Sequence, residues 1–312
     1  MDPYRIVFIG TPEFSVPALQ ALHDNGYNIA AVVTKPDRPK GRGQHVIASP
    51  IKKLATAYGY SFLQPTSAKE TWFEENLVAL NPDLLVVVAY GKILSRSVLT
   101  IPRLGAINVH ASLLPKYRGP APIQWAVING DTQTGVTTMW MDEGMDTGDI
   151  LLKAEIQINS DETSASLHDK LAHKGAKLLL DTLKELKSGH LLATRQDNSK
   201  ASHAPFLKKK DGRIEWSKTA DALDCFIRGM DPWPGAFTSL SGKRLRIFTA
   251  EQMRKTTKQQ PGVVLEGFPG DLEVATGRGV LSLKEVQLES GKRLTIDDFL
   301  RGYPVLPGTV LG

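Results

Sequence analysis

Apolar positions in the first half of the chain fall into short continuous runs, separated by longer stretches with helical spacing. Residues 5–9 form a buried-strand run that ends in Gly10, and 14–25 read as a helix closed by Gly26. A second strand at 29–33 precedes a helix opened by Ser49-Pro50, with the serine as N-cap and the proline in the first turn. Residues 68–80 predict a third helix, stopped by Asn81-Pro82; 84–89 is a continuous apolar strand and 106–109 a shorter one. Apolar strands alternating with helices of this length predict a parallel sheet covered on both faces. That is the doubly wound, Rossmann-like α/β class, whose ligands lie beyond the carboxyl ends of the strands.

Further strands are expected at 135–141 and 151–158, followed by a long helix over 162–187 that ends at Ser188-Gly189. Residues 190–207 are polar and read as a linker. Beyond them the pattern changes to short strand candidates at 244–250, 262–265, 272–275, 279–286 and 293–295, several bounded by Gly, Pro or Asp. Such a series predicts a small β-barrel, OB-like in kind, or a sandwich. The chain therefore divides into a first domain at 1–189, a linker at 190–207 and a second domain at 208–312.

Length agrees with that division, since 312 residues exceed the roughly 100–200 of a single domain. Charge adds a clue about partners. Lys35, Arg38, Lys40, Arg42, Lys52 and Lys53 crowd one N-terminal stretch against Asp37 alone, and residues 201–312 carry 17 Lys/Arg against 13 Asp/Glu. Positive charge gathered in one loop and one domain suits a polyanionic partner. A single cysteine, Cys225, excludes an intramolecular disulfide and a multi-cysteine zinc site. The longest apolar run, 84–90, is too short to span a bilayer. A cytoplasmic, monomeric protein without membrane contact is expected.

The architecture's usual ligand is a dinucleotide, and the first turn argues against it. Gly10-Thr11-Pro12-Glu13-Phe14 has one glycine where a pyrophosphate-binding turn needs three. The residues suited to chemistry lie further on. Asn108 and His110 stand two apart at the end of a strand, so the period of two aims both at one point above the sheet. The glycine-rich stretch Asp142-Glu143-Gly144-Met145-Asp146-Thr147-Gly148-Asp149 follows another strand and can lay a carboxylate against them. An amide donor, an imidazole and a carboxylate suffice for acyl transfer to an amine, the donors stabilising the developing oxyanion and the acid/base pair moving the proton. No GxSxG elbow and no His-x-His or His-x₃-His spacing is present, so neither a serine triad nor a metal centre is expected.

The run Asn108-Val109-His110-Ala111-Ser112-Leu113-Leu114-Pro115-Lys116-Tyr117-Arg118-Gly119 resembles the signature of the folate-dependent formyltransferases. Asp142-x-Gly144-Met145-Asp146-Thr147-Gly148 resembles that family's second signature, and the likeness takes in the turn at 10–14, the basic loop 36–43, Pro232-Trp233-Pro234-Gly235-Ala236 and Phe299-Leu300-x-Gly302. The resemblance implies that 10-formyltetrahydrofolate donates a formyl group to the α-amine of methionine carried on initiator tRNA. It implies catalytic roles for Asn108 and His110 in polarising the formyl oxygen. Asp146 would keep His110 oriented and protonated. It also implies a folate site formed by Tyr90, Ile93 and Leu94 together with Ser112, Leu113, Leu114 and Pro115. Phe14 would border the methionine side chain, and Arg38, Lys40 and Arg42 would contact tRNA, with no metal involved. Two rivals stay open: a formyltransferase acting on a small amine, such as a purine precursor or an amino sugar, and a nucleic-acid-binding protein with a decayed catalytic domain.

Overall fold

The computed structural model describes residues 4–40 and 45–312. In chain order the first elements are β1 (Arg5–Gly10), α1 (Val16–Asp24), β2 (Asn28–Val33), β3 (Arg38–Lys40), β4 (His45–Ile47), α2 (Pro50–Ala57), β5 (Phe62–Leu63), α3 (Thr71–Leu80) and β6 (Leu84–Val88). Then follow α4 (Arg96–Leu99), β7 (Ala106–His110), α5 (Pro122–Ile128), β8 (Gln133–Trp140), β9 (Ile150–Gln157) and α6 (Ser164–Ser188). The remaining elements are α7 (Ala220–Met230), β10 (Ala236–Leu240), β11 (Lys243–Met253), β12 (Leu272–Ala275), β13 (Val280–Leu288), β14 (Leu294–Thr295) and α8 (Ile296–Gly302).

Two compact units are present. The first comprises Met1–Pro122, Gln133–Gln157 and His168–Ala204, and the second Ile123–Thr132, Ile158–Leu167 and Pro205–Gly312. Residues 190–204, within the segment expected to link two domains, are thus part of the first unit. Thr194 and Ile150 exchange main-chain hydrogen bonds of 2.8 Å in both directions, which seats this segment at the start of the edge strand β9.

The first unit is built on a seven-stranded sheet in the order β5-β2-β1-β6-β7-β8-β9. Strands β5 to β7 in that order are parallel, as the continuous apolar runs predict, whereas β8 runs antiparallel to both of its neighbours, β7 and β9. The all-parallel expectation fails at β8; on its β9 side the short 141–149 connection carries no crossover helix, and such a link joins antiparallel neighbours. Strand order reverses between β1 and β6, which places a switch point at Gly10 and Val88. Val7, Ile9, Val33, Phe73, Leu77, Leu85, Val87 and Tyr90 form one buried cluster. Each such side chain contributes about 1.5–3 kcal/mol by leaving water.

Local signals explain the helix boundaries. Ser49 Oγ accepts from Lys52 N at 3.0 Å with Pro50 next to it, the N-terminus expected for α2. Helix α3 starts at Thr71 rather than 68, because the Glu70 carboxylate gathers the Thr66 hydroxyl and the Ser67 N–H into a preceding turn. The basic loop with Pro36 and Pro39 is in part a strand, pairing Arg38–Lys40 antiparallel to His45–Ile47. Three-residue edge pairing tolerates a proline, which lacks a donor. Gly175 sits mid-helix in α6 because a Cβ there would lie 2.9 Å from Val109 Cγ1. Helix α6 therefore covers the face of β7 that carries Val109, and Asn108 and His110 project from the opposite face.

The second unit holds an antiparallel sheet in the order β10-β11-β13-β12, with β14 on β13. Register shifts in β11 around Thr249 let it curl into the half-barrel that the short strands anticipate. Residues 262–265 make only isolated bridges rather than a strand. The pattern also conceals α7, capped by Thr219 Oγ1 on Ala222 N, and β10, whose alternation follows directly on the Pro-Trp-Pro-Gly run. Among the described residues no helix is long and apolar enough to cross a membrane.

Candidate active site

The carboxyl end of β7 gathers the proposed chemistry. His110 is 6% exposed, and its Nε2 lies 3.0 Å from the Tyr117 carbonyl oxygen. A carbonyl can only accept, so Nε2 carries the proton of that bond. Nδ1 then faces Asp146, whose Oδ2 is 3.6 Å away. Asp146 Oδ2 also accepts from the Gly119 N–H at 2.8 Å, which fixes the carboxylate between the signature loop and the imidazole. Asn108 lies half-buried on the same strand face, and its amide has no hydrogen-bond partner among the described residues.

Two of the residues that shape this site have left-handed backbone: Tyr117 at φ 61° and Asp146 at φ 56°. Ala89, at the end of β6, has φ 48°. Residues with a Cβ rarely adopt this conformation, and three of the six non-glycine residues described in it lie in these segments. The loop carrying Asp146 is held by close packing. Thr147 Oγ1 donates to Asp142 Oδ1 at 2.7 Å, and Trp140 N donates to Asp149 O at 2.9 Å.

The residues assigned to folate divide by exposure. Ser112 is buried, its hydroxyl donating to Lys116 O at 2.6 Å. Leu114 is buried against Met139 and Ile150. Leu113 and Pro115 are half-buried, and Ile93 is 74% exposed. Tyr90 and Leu94 point into the core cluster. The Tyr90 hydroxyl is buried without a hydrogen-bond partner among the described residues, and burial pushes its pKa up to about 12, with the Glu70 charge adding. Main-chain N–H groups at 90–94 make no backbone hydrogen bond to another described residue. An open strand end with unpaired main chain suits a flat heterocycle edged by donors and acceptors.

Phe14 is buried and packs edge-on against His168, ring centroids 5.3 Å apart. In the basic stretch, Asp37 is occupied: Lys52 Nζ donates to Oδ2 at 2.6 Å and Gln64 Nε2 to Oδ1 at 2.8 Å, and these bonds hold its carboxyl below the usual range. Arg38 is exposed at the start of β3 and Lys40 ends that strand, while Arg42 lies outside the described residues. Two further cations stand nearby, Lys35 from the basic stretch and Lys92, which no sequence pattern singled out. Lys35 Nζ donates to Gly91 O at 3.2 Å, and Lys92 Nζ to Pro65 O at 3.1 Å. Burial pushes both lysines down, and the Arg38 charge pushes in the same direction. Crowded cations answered by carbonyls rather than carboxylates leave net positive charge at the ends of β2 and β6. Arg118 and Gln196, both buried, were likewise missed; only Arg118 lay inside a quoted motif.

Comparison with known proteins matches the formyl transferase family over residues 4–183 and the formyl transferase C-terminal domain over 207–304. The methionyl-tRNA formyltransferase of Desulfotalea psychrophila is 52% identical over 98% of this chain and 95% of that protein. That of Syntrophus aciditrophicus is 50% identical over the whole of both. The chain belongs to the methionyl-tRNA formyltransferase family. As a formyltransferase, it shares its fold with distant solved structures. An N-formyltransferase from Helicobacter canadensis, solved with folinic acid and dTDP-3-aminofucose, superposes with a TM-score of 0.69 at 17% identity, over 93% of this chain and all of that one. HypX from Aquifex aeolicus, solved with tetrahydrofolic acid, gives 0.62 at 17% identity over 95% of this chain, which spans about half of HypX.

Proposed function

We propose that this formyltransferase transfers the formyl group of 10-formyltetrahydrofolate to the α-amino group of methionyl-initiator tRNA, as a monomer in the cytoplasm. The observation that carries the chemical assignment is the His110–Asp146 pair on the strand face shared with Asn108. The bound folate supplies the formyl carbon and, as leaving group, a nitrogen that takes up one proton. Asn108 is free to donate to the formyl oxygen as negative charge develops there. His110 donates from Nδ1 when protonated, since Nε2 is committed to Tyr117. Asp146 balances the ring's charge and accepts the proton lost by the attacking amine, directly or through water. Backbone at 90–94 and around Ser112, Leu113, Leu114 and Pro115 holds the donor, and Phe14 borders the methionine side chain.

Asp146→Asn tests this arrangement, because it keeps shape and hydrogen bonding but removes the charge and the proton acceptor. It is expected to lower kcat by about 10²-fold or more, within the range for a general acid/base group. Steady-state formylation of methionyl-tRNA measures it, and preserved activity would leave Asp146 as a loop-former only.

For the tRNA, Arg38, Lys40 and Arg42 with the neighbouring Lys35 and Lys92 supply phosphate contacts, and the domain at 208–312 supplies more. Arg42→Ala is expected to depress kcat/KM for methionyl-tRNA while KM for the folate stays near wild type. Arg42→Lys should restore only part, because an ammonium lacks the planar fork of guanidinium. A salt titration should show a shallower slope for the alanine variant. Wild-type behaviour of both variants across that titration would remove the loop from the tRNA interface.

A further inference from the structure

Asp146 reaches His110 from a left-handed backbone conformation, in a loop exposed on most of its length. Something must hold it there, and one buried side chain does. Gln196 Nε2 donates to Asp146 O at 2.8 Å and to Gly148 O at 2.7 Å. Its Oε1 accepts from Arg118 Nε at 3.1 Å and from the Arg118 terminal nitrogen at 2.8 Å. Both amide hydrogens and both acceptor sites are therefore used, and no flipped amide satisfies the set, because the carbonyls only accept and the guanidinium only donates. Arg118 in turn donates to Asn198 Oδ1 at 2.8 Å, and the next residue's N–H grips the Asp146 carboxylate. Gln196 and Arg118 are each 6% exposed, so water does not compete freely for these bonds.

We propose that Gln196 is a positioning residue for formyl transfer, a buried amide that clamps the Asp146 loop to Arg118 and so sets the carboxylate against His110. The proposal rests on the catalytic role given above to Asp146. It gives the polar stretch at 190–204 a task in the reaction, where its composition suggests only a connection.

Gln196→Glu separates the two halves of the contact. It keeps an oxygen acceptor, now charged, for Arg118, but places oxygens against the two loop carbonyls in place of N–H donors. Expected are a fall in kcat of about 10–100-fold, in line with a small misplacement of a catalytic group, KM for both substrates within about twofold of wild type, and a lowered but still cooperative melting transition, since two loop carbonyls lose their buried donor. A double-mutant cycle with Asp146→Asn supplies a readout that a purely structural role would not move. In the Asp146→Asn background Gln196→Glu should cost less than about threefold, because both changes remove the same contact. Should Gln196→Glu not fold, Gln196→Asn, with both groups on a shorter stem, is expected to lose about tenfold in kcat and show the same lack of additivity. Near-wild-type kcat in the Gln196 variants beside an impaired Asp146→Asn, or full additivity in the cycle, would overturn this inference alone. An active Asp146→Asn would overturn the role of Asp146 and this inference with it.

Discussion

Replacing His110 with alanine is expected to lower kcat by about 10²–10³, the usual cost of losing one donor to a developing oxyanion. The imidazole is buried at a strand end, its Nε2 tied to Tyr117 O and its Nδ1 turned to Asp146. A donor placed in that way acts mainly on charge present in the transition state, so KM for the folate should change little. Asn108→Ala should behave alike and more mildly in stability, since its half-buried amide has no hydrogen-bond partner among the described residues to leave stranded. Single-turnover formylation of methionyl-tRNA separates the chemical step from binding. A His110→Ala enzyme within roughly threefold of wild type would contradict the assignment, being far below the expected range.

Gly148→Ala should be comparably damaging, although the residue touches no substrate group. A Cβ there would fall 1.8 Å from the Trp140 carbonyl oxygen and 2.8 Å from its carbon, both main-chain atoms that close the 141–149 loop. The backbone has to separate, and the Trp140–Asp149 hydrogen bond and the Gln196 contact to Gly148 O go with it. A misplacement of about 1 Å at Asp146 is enough for a loss on the order of 10²-fold in kcat. A measurable fall in melting temperature should accompany it, because overpacking against backbone costs about 1–3 kcal/mol. Gly302→Ala is the control, since no atom lies within 4 Å of the added methyl group. Equal behaviour of the two variants in thermal melts and kinetics would show that the loop absorbs the clash.

These expectations draw on two kinds of information. The strand runs, the Ser49-Pro50 helix start and the shared face of Asn108 and His110 were legible along the chain. So was the second signature, whose final glycine now has a steric reason. Resemblance to a family supplied the substrates, which no periodicity carries. The residues proposed for folate were legible as positions only: the side chains of Tyr90, Leu94, Ser112 and Leu114 are buried, which leaves main chain as what they would offer a ligand.

Local periodicity is set by covalent geometry, so the sequence by itself determined which residues form β1, β2, β6 and β7, which face each of their side chains takes and, at Ser49-Pro50, where a helix begins. What it left open depends on approaches between distant segments. Asp146 meets Gly119 across 27 residues and Gln196 meets Arg118 across 78, distances over which no local preference acts. The antiparallel course of β8, the return of 190–204 onto the first unit and the enclosure of a saturated amide beside His110 and Asp146 were decided only by tertiary packing. A buried polar group must find its partners wherever the fold brings them, and that requirement is written in space rather than in sequence order.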